Sequence, residues 1–315
     1  VKTPTLDRNL ADRFRGRDIL STRDFTREEI LFELDASRLL VGEERPLLKG
    51  KVLATLFFEP STRTRLSFES AMKRLGGATI GFADAGVSSA AKGESLQDTV
   101  KVVEGYCDAI VIRHPREGSA RVAGEATRLP VINGGDGSNQ HPTQTFVDLY
   151  TIREAQGKVS GLNIGFLGDL KYGRAAHALI TAAAALGNHL TLISPIELRL
   201  PPPILEEIRE SGAKPTQTAD LEASIRDLDV LYVTRIQQER FADPLEYERV
   251  RNAYRLDLKT LALGHKGLSV LHPLPRVREI DPEVDASEGA LYFKQAHNGV
   301  VVRKALLALL LGVMP

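Results

Sequence analysis

The sequence predicts an α/β chain of the doubly wound kind, on three observations. Short continuous runs rich in Val, Ile and Leu recur along it, as in parallel strands covered on both faces. Helical patterns fill the gaps, giving the β-α alternation of doubly wound sheets. The polar clusters suited to chemistry fall where those runs end, at the edge where such sheets bind ligands.

The strand-like runs are KVLATLFF, ATIGFAD, DAIVIRH, PVING, NIGFLGD, HLTLISP, DVLYVTR and LSVLHP. After the first, Phe68, Ala71, Met72 and Leu75 fall at i, i+3, i+4 and i+7 and predict one buried helical face. Gly76-Gly77 stops that helix. Eight runs suit one sheet or two. The helical stretch HPTQTFVDLYTIREAQGK separates the fourth from the fifth and reads as a bridge between two domains, with the boundary near Pro142. PPP at 201–203 reads as a helix start or turn.

Composition narrows the function classes. The 315 residues, 43% hydrophobic and 26% charged, describe a globular chain able to bury a sizeable core. Lys+Arg and Asp+Glu both number 41, so nothing supports a bulk electrostatic grip on nucleic acid or an anionic membrane. The single cysteine, Cys107, rules out an intrachain disulfide and reads as a buried structural thiol. VKTPTLDRNLADRFRGRD lacks the apolar core of a signal peptide, and ALLALLLGVM is too short to span a bilayer. These features fit a cytoplasmic setting.

The sharpest motif is FFEPSTRTRLSFES, where an apolar strand turns into an amphipathic helix. A helix N-terminus offers backbone N–H groups and a positive dipole end. Ser61, Thr62 and Thr64 hydroxyls with the Arg63 guanidinium make it a phosphate-sized anion cradle. The alternative is a Ser N-cap with solvated arginines, but one cap needs only one hydroxyl. The G-x-x-x-x-G-K-[ST] spacing of a nucleotide P-loop is absent. The third run ends in Arg113-His114-Pro115, and the fourth leads into GGDGSNQHPTQ with His141 and Gln144. Neither a metal set nor a Ser/His/Asp triad is recognisable around His141. In the second half GDLKYGR offers Lys171 and Arg174, TRIQ offers Arg235 and Gln237, and HPLPR offers Arg276. Arginines from different strands suit a dianionic substrate, and solvated loop arginines are the alternative.

Taken in order, FFEPSTRTR, KGESLQDT, IRHPREG, GDGSNQHPTQ, GDLKYGR, TRIQQER and LHPLPR resemble the aspartate and ornithine carbamoyltransferase family over nearly the whole chain. HPLPR and the R-x-Q of Arg235 and Gln237 resemble the aspartate branch; ornithine enzymes typically carry a cysteine where Leu274 stands. The resemblance implies two doubly wound parallel-sheet domains. Residues 1–142 with the returning C-terminal helix 298–315 would bind carbamoyl phosphate, and residues 143–297 aspartate. It also implies a homotrimer whose active sites are shared between chains, with Ser88 and Lys92 reaching a neighbour's site. Many relatives have two adjacent lysines before Gly-Glu where this chain has Ala91-Lys92.

The implied reaction is attack of the L-aspartate amine on carbamoyl phosphate, giving N-carbamoyl-L-aspartate and phosphate, an early step of pyrimidine synthesis. By resemblance Ser61, Thr62, Arg63, Thr64 and Arg113 hold the phosphate, with Ser88 and Lys92 from next door. Thr64, Arg113 and His141 would act on the carbonyl oxygen. Gln144 and the Pro273 and Leu274 carbonyls would bind the carbamoyl NH2. Arg174, Arg235 and Gln237, with Leu274 and Lys92, would bind aspartate. Neither a metal nor an organic cofactor is required, because phosphate is already a good leaving group. The charged loop from Gln238 to Tyr254 would close over aspartate. Glu59 would orient Arg235 or Arg174 on closure, or be a plain surface carboxylate. Two other classes stay open: a carbamoyltransferase for a different amine, and a non-catalytic binding subunit. Loss of Arg63, Arg113, His141 or Gln144 would favour the latter, and all four are present. Some relatives of this family bind a separate regulatory chain or a dihydroorotase, so the resemblance leaves both open as partners.

Overall fold

The computed structural model describes residues 6–84, 86, 92–241 and 243–315. The chain divides into two compact units: residues through Val147 together with His297–Pro315, and Asp148–Ala296.

In the first unit α1 (Arg8–Phe14) and α2 (Arg27–Leu39) precede the sheet. A capping box opens α2: Thr26 Oγ1 accepts the Glu29 N–H at 3.2 Å, and Glu29 Oε2 accepts the Thr26 N–H at 2.9 Å. Next come β1 (Val52–Phe57), α3 (Thr62–Arg74), β2 (Ala78–Phe82), α4 (Leu96–Val103), β3 (Ala109–His114), α5 (Ser119–Glu125) and β4 (Val131–Asp136), and α6 (Pro142–Gln156) begins in this unit and passes into the second at Asp148. The strands are all parallel, in the order β2-β1-β3-β4. The chain therefore runs outward from β1 to β2 and crosses back to β3, so the strand order reverses between β1 and β3. Phe68, Ala71, Met72 and Leu75 are buried, as their spacing predicts, and Gly76 follows the helix at φ 80°. On one sheet face Ala54, Leu56, Ile110, Ile112 and Val131 pack with Val100, Ala120 and Ala123.

The second unit holds β5 (Asn163–Leu167), α7 (Arg174–Ala185), β6 (His189–Ile193), α8 (Pro202–Glu210), β7 (Thr216–Thr218), α9 (Leu221–Ser224), β8 (Val230–Val233), α10 (Pro244–Val250), α11 (Leu258–Leu261) and β9 (Ser269–Leu271). Its five parallel strands run β7-β6-β5-β8-β9, and the order reverses between β5 and β8. The eight runs read from sequence all form strands; β7 is a ninth among the described residues. It is a short polar edge strand, TQT, with no apolar run to announce it.

The last helix, α12 (Tyr292–Leu310), joins the first unit from His297 onward. Lys304 Nζ donates to the carbonyls of Leu40 and Glu43 at 2.8 and 2.6 Å, satisfying the end of α2. Burial lowers the pKa of that ammonium. Among the described residues no helix is long and apolar enough to cross a membrane.

Candidate active site

Each sheet has one point where its strand order reverses, and ligands of open α/β sheets bind outside the strand ends there. In the first unit the flanking strands are β1 and β3. β1 delivers Ser61 as N-cap of α3, with Thr62, Arg63 and Thr64 in its first turn. The Ser61 side chain makes no capping bond, so the hydroxyl is not committed to the role of the alternative reading. Thr64 is buried, and its Oγ1 lies 3.3 Å from His141 Nε2, also buried. β3 delivers Arg113, whose Nε pairs with Glu59 Oε2 at 3.2 Å. Burial lowers the Arg113 pKa, Glu59 opposes the shift, and the nearby Arg63 charge adds to it. Two cations thus share this strand edge, which favours a multiply charged anion.

The pairing of β3 with β4 slips between Ile112 and His114, so β4 carries a bulge at its glycine pair. Gly134 O there accepts from Arg113 Nη1 at 3.2 Å. The following loop is organised by buried Asp136. Its carboxylate accepts from Gly118 N at 2.8 Å, Asn133 Nδ2 at 2.9 Å, Gln140 N at 3.0 Å and Asn139 Nδ2 at 3.1 Å. Gly137 sits at φ 54°, and a Cβ on it would stand 2.9 Å from Pro115 O. This loop sets His141 at the start of α6 and places Gln144, whose N–H donates to His141 O at 2.9 Å, in its first turn. His114 points elsewhere: its Nδ1 accepts from Arg116 N at 3.0 Å, and burial, then Arg116, lowers its pKa.

In the second unit β5 and β8 flank the reversal. Gly168 follows β5 at φ 115°, where a Cβ would stand 2.3 Å from Thr234 O at the end of β8. Only glycine lets the two strand ends approach this closely. Fully buried Asp169 then ties both turns. Its Oδ1 accepts from Tyr172 N at 2.9 Å and Lys171 N at 3.1 Å, and its Oδ2 from Gln237 N at 3.4 Å. Burial raises the Asp169 pKa, opposed by these N–H groups. Gln237 Nε2 donates to Tyr172 O at 3.3 Å. Arg174 opens α7 behind an N-cap, Gly173, that provides no side-chain cap, and Arg235 follows β8; both are partly exposed. The unit thus carries two guanidinium groups and a carboxamide at its switch point, a fit for carboxylates.

Pro273 and Leu274 follow β9, where Leu274 has φ 57° and the Leu274–Pro275 peptide is cis. A non-glycine residue in that region is held by its surroundings. Leu274 N donates to His272 Nδ1 at 2.8 Å, so Nε2 carries the ring proton and faces Glu279 Oε1 at 2.8 Å. Burial raises the Glu279 pKa, but His272 and the Arg278 N–H outweigh it and hold it at about 2. His272 N in turn donates to Gln295 Oε1 at 2.9 Å, Gln295 Nε2 to Asp148 Oδ1 at 2.6 Å, and Tyr232 OH to Asp148 Oδ2 at 2.9 Å.

The first unit therefore brings together Ser61, Thr62, Arg63, Thr64, Arg113, His141 and Gln144, and the second gathers Arg174, Arg235 and Gln237. Ser88 lies outside the described residues, and Lys92 is exposed. Three readings are corrected. Glu59 pairs with Arg113, so it is not a plain surface carboxylate. Arg276 is tied to Asp285, with Nη2–Oδ2 at 2.6 Å, and its pKa is raised accordingly; it is an ion-paired residue, not a solvated loop arginine. Cys107 is half-buried rather than buried, but burial still pushes its thiol up to about 11. Lys171 lies exposed, 4.9 Å from the Tyr172 ring centroid. Asp136 and Asp169 were missed; an aspartate at or just past a strand end and beside glycine is the signal that marks such turns.

Residues 17–154 match a family model described as aspartate/ornithine carbamoyltransferase, carbamoyl-P binding domain. Residues 160–310 match its Asp/Orn binding domain. The aspartate carbamoyltransferase catalytic subunit of Thermococcus gammatolerans is 58% identical over 306 residues, covering 96% of this chain and 99% of the relative. The catalytic subunit of M. jannaschii aspartate transcarbamoylase aligns with a TM-score of 0.86 at 50% identity, over 92% of this chain and 96% of that one. Aspartate transcarbamoylase from Trypanosoma cruzi, solved with carbamoyl phosphate and aspartate, aligns with a TM-score of 0.90 at 34% identity, over 98% and 100%.

Proposed function

The chain belongs to the aspartate/ornithine carbamoyltransferase family, and we propose that it is an aspartate carbamoyltransferase: it transfers the carbamoyl group of carbamoyl phosphate to the L-aspartate amine, releasing phosphate. The observation that carries this reading is the pair of switch points. One is built for a compact polyanion around Arg63 and Arg113; the other presents Arg174, Arg235 and Gln237, suited to a dicarboxylate.

The first turn of α3 and Arg113 hold the phosphate. As the amine attacks, charge builds on the carbonyl oxygen. Thr64, Arg113 and His141 stabilise it, and preorganised donors of this kind are worth ~3 kcal/mol each. Gln144 accepts from the carbamoyl NH2, and the Pro273 and Leu274 carbonyls serve as further acceptors for an NH2 group. Arg174 takes one aspartate carboxylate, and Arg235 with Gln237 the other. The C–N bond forms, the C–O bond to phosphate breaks, and the departing phosphate is basic enough to take the amine proton. Much of the rate comes from holding two anions together.

The first unit is thus the carbamoyl phosphate-binding domain and the second the aspartate-binding domain. The chain works as a cytoplasmic homotrimer in which Ser88 and Lys92 complete a neighbour's site. The shared site rests on the family resemblance alone, which brings the segment from Ser88 to Lys92 to a neighbour's site. A separate regulatory chain or dihydroorotase is an open partner, identifiable by what co-elutes from the native extract.

The reading is tested by following phosphate release from carbamoyl phosphate. Release should require L-aspartate and match carbamoyl aspartate formed mole for mole. Release at the same rate without an amine would make the chain a hydrolase and defeat the proposal.

A further inference from the structure

Gly299 stands in the interior of α12, where glycine weakens a helix. A Cβ there would lie 2.4 Å from Arg303 Nη1 and 3.3 Å from Ser67 Oγ. The glycine makes room for a guanidinium that is only 3% exposed. Arg303 Nη1 donates to Ser67 Oγ at 2.8 Å, and Nη2 to Thr143 Oγ1 at 3.3 Å. Its carbon lies 4.9 Å from the Phe68 ring centroid. Burying an arginine is expensive, and an apolar side chain would pack this helix with less desolvation. What a planar fork offers is a grip on two separate hydroxyls in one fixed geometry, with its donors held apart by the guanidinium plane. Those hydroxyls sit on α3 and α6, each within a turn of a site residue: Ser67 beyond Thr64, Thr143 beyond His141.

We propose that Arg303 is a positioning residue that locks α3 to α6 and thereby sets the 3.3 Å spacing of Thr64 Oγ1 and His141 Nε2. It touches no substrate. Its role in turnover rests on the carbamoyl-transfer reading, because the spacing matters only if both groups serve one oxygen. Donors displaced by about 1 Å lose roughly a hundredfold in rate.

The test uses the full chain and the variants Arg303→Met, Arg303→Lys, Ser67→Ala and Thr143→Val. The single-hydroxyl variants remove one grip each and keep the shape of their sites, so they answer the question even if Arg303→Met fails to fold. Three quantities are read: circular dichroism, the split between kcat and the two KM values, and the ¹⁵N signal and pH titration of the His141 imidazole. Expected are a kcat loss of roughly a hundredfold in Arg303→Met and roughly three- to tenfold in each hydroxyl variant. KM for aspartate should stay within about twofold, since that substrate is gripped elsewhere. Arg303→Lys, which reaches one hydroxyl, should recover part of the rate. The His141 signal should move in every variant that loses rate. Wild-type kcat in a folded Arg303→Met, or in both hydroxyl variants, overturns the proposal, as does a rate loss with an unmoved His141 signal. Failure of the carbamoyl-transfer reading looks different: the unaltered chain is then inactive, while the His141 signal still reports whether Arg303 sets the spacing.

Discussion

Asp169 Oδ2 accepts the Gln237 N–H at 3.4 Å, and through it the turn after β5 is tied to the turn after β8. The same carboxylate receives two N–H groups from its own turn, so one buried side chain fixes the loops that carry Arg174 and Gln237. Asp169→Ala should raise KM for aspartate roughly tenfold or more while KM for carbamoyl phosphate changes less than about twofold. Steady-state kinetics with each substrate varied in turn checks this, and equal rises in both constants would show a general loss of fold.

At the other switch point the proposed function has Arg63 and Arg113 act on one anion. Arg63→Ala or Arg113→Ala should remove turnover by at least roughly a thousandfold, with the circular dichroism spectrum retained. Near-normal kinetics in either would remove the phosphate assignment.

Arg235→Ala should raise the aspartate requirement far more than the carbamoyl phosphate requirement, by roughly 2–4 kcal/mol of lost charge-assisted contact. A loss confined to carbamoyl phosphate would reverse the roles given to the two units.

Much of this was legible before the structure. The helix face of Phe68, Ala71, Met72 and Leu75 repeats at the helical period and follows from side-chain chemistry alone. The polar clusters were found because each ends an apolar run. β7 was not, since TQT owes its strand state to pairing with β6 and not to its own pattern. Asp136, Asp169 and Arg303 were not either. Their work is done through partners distant in sequence, such as Asp169 with Gln237 or Arg303 with Ser67 and Thr143, and no local period encodes such pairs. Arg276 misled for the same reason: from sequence it is a basic residue at a strand end, and Asp285 claims it only in the fold.

The His272–Glu279 pair gives a pH signature. Glu279 falls from 4.5 to about 2 in the fold. A depressed carboxyl stabilises above its unfolded pKa, and that contribution is lost as pH falls through the folded value. A shift of this size corresponds to ~3 kcal/mol. Denaturant melts should therefore lose stability between pH of roughly 4.5 and 2, and Glu279→Gln should flatten that part of the curve. An unchanged slope in the variant would place the acid sensitivity elsewhere.

Sharing of sites between chains is tested by mixing. Arg63→Ala and Lys92→Ala chains, each inactive alone, are dissociated, combined equally and reassembled. A closed ring of three with head-to-tail interfaces restores roughly a quarter of all sites under random assembly. If a tag on one chain confirms exchange and activity stays at the parental level, Lys92 serves its own subunit or the surface.

The most direct measurement of the central claim is competition between acceptors. The purified chain is given ¹³C-labelled carbamoyl phosphate with equal L-aspartate and L-ornithine, and products are followed by NMR. On the proposed reading Arg174, Arg235 and Gln237 receive the two carboxylates, and an ornithine side chain would bring a cation toward two guanidinium groups. The account predicts N-carbamoyl-L-aspartate as essentially the sole carbamoylated product, with phosphate in equal amount. Carbamoylated ornithine in comparable or greater yield, or label lost only to hydrolysis, would contradict it.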